Sequence, residues 1–227
     1  VHVDAAYGGY FGLARELGTD QKRHFDRLSE ADSIVIDPHK HGLQPYGCGC
    51  VLFRDPAVGA LYKHDSPYTY FSSDEMHLGE ITLECSRPGA SAVALWATHR
   101  LLPPVFGGEF GDGLDGCLRA ARDFWRELHK SSSFTPLMQP ELDIVVYAVN
   151  AATTSAASQR AREVFEAAAE RDLHLALMEL PTNVFAAYAP EVQVDSDTVA
   201  CLRSVMMKPE HEEWVGRITA LLEASAK

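Results

Sequence analysis

The stretch Asp32-Ser33-Ile34-Val35-Ile36-Asp37-Pro38-His39-Lys40-His41-Gly42 constrains the fold of this chain more than any other. Its first half is a β-branched apolar run, which reads as a strand buried on both faces. Its second half is a polar cluster opened by proline and closed by glycine, the punctuation of a turn. A strand that delivers acid, histidine and lysine at its carboxyl end belongs to an open α/β sheet, where ligands bind beyond the carboxyl ends of strands. The run His2-Val3-Asp4-Ala5-Ala6-Tyr7-Gly8-Gly9 repeats the pattern, with a short apolar strand ending in an acid and then a glycine-bearing loop. The interval from Asp4 to Lys40 leaves room for the crossover that joins parallel strands. Both side chains could then reach one crevice.

An acid and a lysine converging on a crevice suit pyridoxal 5'-phosphate (PLP), whose aldehyde condenses with a lysine and whose ring nitrogen stays protonated beside an acid. From spacing alone, a structural ion pair between Asp4 and Lys40 reads as well, and so does no contact at all. His39, His41, Cys48 and Cys50 offer a rival metal site. Lys40 between the two histidines opposes a cation, and Gly47-Cys48-Gly49-Cys50 reads as close backbone packing; no metal is expected.

The rest of the chain excludes several classes. The 227 residues carry a net charge of −12, which disfavours nucleic acid and anionic membranes as partners. No apolar run approaches the ~20 residues that span a bilayer. Hydrophobic residues make up 46%, enough for a packed core. Five cysteines, an odd number without a CxxC pair, point to reduced thiols and a cytoplasmic protein rather than a disulfide framework. The chain opens inside a strand-like run and not on Met, so upstream sequence is expected.

Further strands are expected at 50–53, 144–149, 173–180, 184–188 and 199–207. Helices are expected at 19–29, 88–102, 114–130, 155–171 and from Pro209 onward. Ala90, Val93, Ala94, Ala97 and Leu101 form an apolar stripe on the second of these. Trp214, Val215, Ile218, Leu221 and Leu222 form the stripe of the last. Glycines between 107 and 113 read as a hinge. The loop from Lys63 to Gly79 is long, polar and without periodicity, as functional loops are.

Together, the HVDAAYGG and ADSIVIDPHKHG segments resemble the group II PLP-dependent decarboxylases, the family of aromatic amino-acid, glutamate and histidine decarboxylases. A weaker likeness continues through Glu84-Cys85-Ser86-Arg87 to Cys201-Leu202-Arg203-Ser204-Val205. The resemblance implies the aspartate-aminotransferase-like fold, type I of the PLP-dependent transferases. Residues 1–104 would be the later part of the PLP-binding large domain and residues 105–227 a small α/β C-terminal domain. It also implies a homodimer with the site at the subunit interface. The reaction would be loss of CO2 from a small amino-acid substrate to leave an amine; transamination, oxidative deamination and a non-catalytic relic or regulatory subunit are the alternatives.

By position, the resemblance makes Lys40 the Schiff-base lysine and Asp4 the partner of the pyridine nitrogen. Ala6 would lie against the ring, and His39 near the phosphate or the Schiff base. Ser86 would approach the cofactor or simply cap the helix that follows. Arg203 would bind the substrate carboxylate, a task for which a guanidinium is suited, or join an ordinary ion pair. Tyr68 or Tyr70 would protonate the substrate carbon after CO2 leaves. Asp37 stands where the family usually has Asn, which weakens a direct phosphate contact there.

Overall fold

A computed structural model describes residues 1–63, 77–81 and 89–227. The chain divides into two compact units, Val1–Leu13 with Thr19–Gly108, and Ala14–Gly18 with Glu109–Lys227.

The first unit holds a three-stranded sheet. Strand β1 (His2–Asp4) runs parallel to β2 (Ser33–Ile36), and β2 runs antiparallel to β3 (Cys50–Phe53), giving the order β1-β2-β3. The parallel register pairs Val3 with Ile34 and Asp4 with Val35, so β1 and β2 end on the same edge. Their crossover contains a 3-10 helix at Gly9–Leu13 and the helix α1 (Thr19–Asp26). Asp20 lies in the first turn of α1 and Arg23 and His24 in its last, each where the helix dipole favours its charge. After β3, Asp55 accepts the Ala57 amide and starts a further 3-10 helix, Pro56–Tyr62. The helices α2 (Leu78–Ile81) and α3 (Ala90–Leu101) complete the unit. Helix α3 forms inside its expected span, but its stripe is not covered: Val93 and Leu101 are exposed among the described residues.

The second unit is a four-stranded antiparallel sheet with helices. It comprises α4 (Glu109–Leu128), β4 (Phe134–Pro136), β5 (Ile144–Val149), α5 (Thr154–Ala169), β6 (Ala176–Pro181), α6 (Thr182–Phe185), β7 (Thr198–Val205) and α7 (His211–Ser225). The strand order is β4-β5-β7-β6. Alternation along β5 divides the core. Val145, Tyr147 and Val149 pack with Phe124 and Leu128 of α4, Val164 of α5, and Val215 and Leu222 of α7. Val146 and Ala148 join Leu180, Phe185, Val199 and Cys201 in the other cluster. The Tyr147 hydroxyl, fully enclosed, meets Ser204 Oγ at 2.9 Å, which provides the partner that a buried hydroxyl requires.

Three expectations are corrected here. The glycines of 107–113 do not make a hinge throughout, since α4 begins at Glu109. Gly116, further along α4, lies so near Pro209 that a Cβ would come within 3.0 Å of it; small residues in this helix admit close packing. Residues 184–188 are not a strand. Phe185 and Ala189 are buried and Val184 and Tyr188 exposed, the i, i+4 spacing of a helical turn. Trp214 lies outside the buried stripe of α7 and is half exposed.

Ala14–Gly18 is a strap that belongs to the second unit. The buried Asp115 carboxylate accepts the amides of Arg15 at 3.3 Å and Glu16 at 2.8 Å. Glu16 in turn holds Arg119 at 2.6 Å and Arg122 at 3.3 Å, and Arg119 also donates to Glu212 at 2.8 Å.

Candidate active site

The common edge of β1 and β2 gathers the expected site residues Asp4, Ala6, His39 and Lys40. Asp4 ends β1, and its Oδ1 accepts the Ala6 amide at 3.1 Å, a turn closed by the acid on its own backbone. Among the described residues no other group bonds to this exposed carboxylate. The Ala5 amide donates to Val35 O at 3.0 Å and the Asp37 amide to Ala6 O at 3.1 Å. These bonds continue the parallel ladder past both strand ends and lock the loop after Asp4 to the loop carrying Lys40.

That second loop is a tight turn. The Lys40 amide donates to Asp37 O at 2.9 Å, and the Gln44 amide to Pro38 O at 3.1 Å. Leu43 sits at φ +58°, a left-handed conformation uncommon for a residue with a side chain. The buried Gln44 side chain secures the turn, donating to Gly42 O at 3.3 Å, Leu43 O at 3.2 Å and Thr98 Oγ1 of α3 at 2.8 Å. Beneath the turn lies Tyr10, whose phenol is pushed up to about 12 by burial, with the nearby Cys48 and Cys50 adding to the rise. His41 is buried between the rings of Tyr7 and Phe11, with centroids at 4.7 Å from each. Its Nδ1 lies 3.1 Å from Tyr7 O; a carbonyl only accepts, so Nδ1 is the donor.

Lys40 Nζ lies 2.9 Å from Asp37 Oδ2, with the lysine side chain about one-third exposed. His39 donates from Nδ1 to Cys48 O at 2.7 Å, and its Nε2 stands 3.7 Å from the same Asp37 oxygen. Sequence reasoning treated Asp37 only as a poor neighbour for a phosphate and missed this contact. The i, i+3 spacing of Asp37 and Lys40 across a Pro-initiated turn was the available signal. Among the described residues no group of three His, Cys, Asp or Glu side chains is arranged to hold a metal.

Arg203 belongs to the second unit, midway along β7, where it pairs with Val146 and Ala176. Its Nε is sealed from solvent and has no hydrogen-bond partner among the described residues. An orphaned buried donor costs about 1–3 kcal/mol, and such a group calls for an acceptor. Tyr68, Tyr70 and Ser86 lie outside the described residues.

The profile of the pyridoxal-dependent decarboxylase conserved domain matches residues 1–150. This chain belongs to the pyridoxal-dependent decarboxylase family. Its decarboxylase relatives include the L-tyrosine decarboxylase of Enterococcus faecium, 31% identical over an aligned stretch of 185 positions that covers 64% of this chain and 30% of that protein. The probable L-tyrosine/L-aspartate decarboxylase of Methanothermobacter thermautotrophicus is 32% identical over 148 residues, 65% of this chain and 38% of that protein. Among solved structures, mouse CSAD aligns over 100% of this chain and 45% of its own, with 20% identity and a TM-score of 0.72. Oryza sativa TDC, solved with PLP and tryptamine, aligns over 97% of this chain and 44% of its own, with 19% identity and a TM-score of 0.72. The α/β fold is thus the type I fold of PLP-dependent decarboxylases, and the chain spans less than half the length of these relatives. No described helix is long and apolar enough to cross a membrane.

The turn's packing yields an expectation of its own. A Cβ on Gly42 would stand 2.5 Å from Pro38 Cα and 2.6 Å from the Tyr10 hydroxyl. Backbone contacts of that kind cannot yield, so Gly42→Ala must displace the turn that carries Lys40. Thermal unfolding should show a loss of about 1–3 kcal/mol. PLP affinity should fall with it, while Gly113→Ala, where a Cβ meets nothing within 4 Å, serves as the control.

Proposed function

We propose that this chain supplies the lysine side of a PLP-dependent amino-acid decarboxylase, which releases CO2 from an amino acid and leaves an amine. The observation that carries the reading is the shared edge of β1 and β2. Asp4 and the turn of Lys40 leave neighbouring parallel strands and are tied by the bond from Asp37 N to Ala6 O. The residues present fit the cofactor: a partly exposed lysine amine, and an exposed carboxylate with an unengaged oxygen on the same edge. Similarity to L-tyrosine and L-tyrosine/L-aspartate decarboxylases supports the reaction class.

When bound, PLP supplies an electron-accepting ring that stabilises the carbanion left by the departing carboxylate. Lys40 holds the cofactor covalently. Asp4 keeps a proton on the pyridine nitrogen by placing a negative charge beside it. Ala6, in the turn after β1, presents only a methyl group to the ring. His39, fixed by Cys48 O, lies beside the lysine with Nε2 free of the backbone bond. Ser86 is assigned to the cofactor's surroundings. Arg203 receives the substrate carboxylate, which would satisfy its orphaned Nε. A homodimer is proposed for the complete enzyme. The buried free thiols of Cys48, Cys117 and Cys201 suit a reducing cytoplasm.

Product analysis of the full-length protein tests the reaction. Amine and CO2 in equal amounts are expected from L-tyrosine or L-aspartate. Keto acid, or aldehyde with ammonia, as the main product would replace decarboxylation by transamination or oxidative deamination. The same assay locates the proton donor. Tyr68→Phe or Tyr70→Phe should lower amine formation by on the order of a hundredfold, the usual contribution of a positioned acid, and divert part of the product to aldehyde. Parent rates in both variants would place the donor elsewhere.

A further inference from the structure

We propose that Asp37 is a positioning residue that receives Lys40 as an ammonium whenever the lysine leaves the cofactor. The inference rests on the assignment of Lys40 above and adds a second station for its amine.

The geometry points to this role from three sides. Asp37 Oδ2 is the ion-pair partner of Lys40 Nζ at 2.9 Å, and the carboxylate is four-fifths buried. The acid cannot drift, because its own amide is bonded to Ala6 O and its carbonyl accepts the Lys40 amide. On its other side Oδ1 lies against Gly49, where a Cβ would be in van der Waals contact at 3.4 Å. His39 Nε2 faces the same Oδ2 at 3.7 Å, while Nδ1 is committed to Cys48 O. That oxygen therefore holds Nζ at ion-pair distance, with the imidazole nitrogen beside it at a separation beyond a hydrogen bond. Among the described residues, the charged and titratable groups in contact with it are Lys40 and His39.

The chemistry needs such a station. A substrate amino group that takes the place of Lys40 forms one carbon–nitrogen bond as the lysine's own breaks. The substrate nitrogen sheds two protons in passing from ammonium to protonated imine, and Nζ gains two in passing from protonated imine to ammonium, so atoms and charge balance. A neutral lysine left beside the cofactor would add back and expel the substrate. A lysine held as ammonium on Asp37 has its lone pair occupied and stays available nearby. An amide at position 37 could accept a hydrogen bond from Nζ but would supply no charge to keep it protonated.

The test compares Asp37→Asn with the parent protein, full-length and PLP-loaded for two readouts and freed of cofactor for a third. The substitution keeps the shape and the backbone bonds, so melting temperature should change little. In the cofactor-free protein, trace acetylation with acetic anhydride at neutral pH, read by peptide mass mapping, should label Lys40 several-fold faster in the Asn variant, because its amine is no longer held by a charge-assisted bond. Other lysines should be unaffected. In the loaded protein, kcat should fall about tenfold with KM within twofold, and borohydride should still fix the cofactor to Lys40. Labelling of Lys40 at the parent rate would overturn the inference, as would faster labelling with unchanged kcat. Cofactor reduced onto a different lysine would overturn the proposed function itself, which separates the two failures.

Discussion

Lys40→Ala is expected to abolish the covalent PLP adduct that borohydride traps in the full-length protein, and to lower turnover by at least about a thousandfold. The expectation follows from position. Lys40 is a partly exposed amine on the turn directly beyond β2, at the edge where β1 also ends. The turn is fixed by Gln44 and Thr98 rather than by the lysine side chain, so truncation at Cβ should leave the loop in place. Cofactor should then still bind non-covalently through other contacts, with the free aldehyde visible by absorbance. A peptide map that finds the reduced adduct on another lysine of the variant, with turnover retained, would remove Lys40 from the reaction.

The second large effect is expected at Asp4. Asp4→Asn preserves an oxygen able to accept the Ala6 amide, so the turn after β1 survives while its charge is lost. A counter-charge beside a protonated ring nitrogen shifts its proton affinity by about 1–3 pK units, each worth 1.36 kcal/mol. The Asn variant should therefore bind PLP and attach it to Lys40 but turn over on the order of a hundredfold more slowly. Asp4→Glu should lose less, because charge is kept while its position shifts. Near-parent turnover of the Asn variant, measured with cofactor saturating, would reduce Asp4 to a residue that shapes a turn.

Most of this edge was legible in the sequence because short-range signals specify it. Pro38 and Gly42 mark the turn, and the β-branched run before them marks the strand. What lay beyond reach depended on packing. The stripe on α3 shows which face seeks cover, but periodicity carries no information on what supplies it, and Val93 and Leu101 meet no cover among the described residues. The segment around Phe185 has the composition of a strand, yet its two buried residues are four apart, and tertiary contact overrode propensity. Glycines between 107 and 113 read as a hinge, yet α4 begins at Glu109 and takes in Gly111 and Gly113. Asp37 was visible as a departure from the family pattern, but only coordinates turn its carboxylate towards Lys40. Tyr68, Tyr70 and Ser86 remain assignments by resemblance.

The strap at Ala14–Gly18 bears on how the polypeptide acquires its structure. Arg15 and Glu16 leave the ribosome about a hundred residues before Asp115, their partner, so the strap must wait unpaired through synthesis of the whole intervening segment. Closing a loop of that length is slow relative to local structure, though its entropic penalty grows only with the logarithm of length. The second unit therefore cannot finish as an independent C-terminal folding event. The bonds from Arg15 and Glu16 to Asp115 span, in sequence, the residues 19–108 that belong to the first unit, so the order of the chain in time differs from the grouping of its parts.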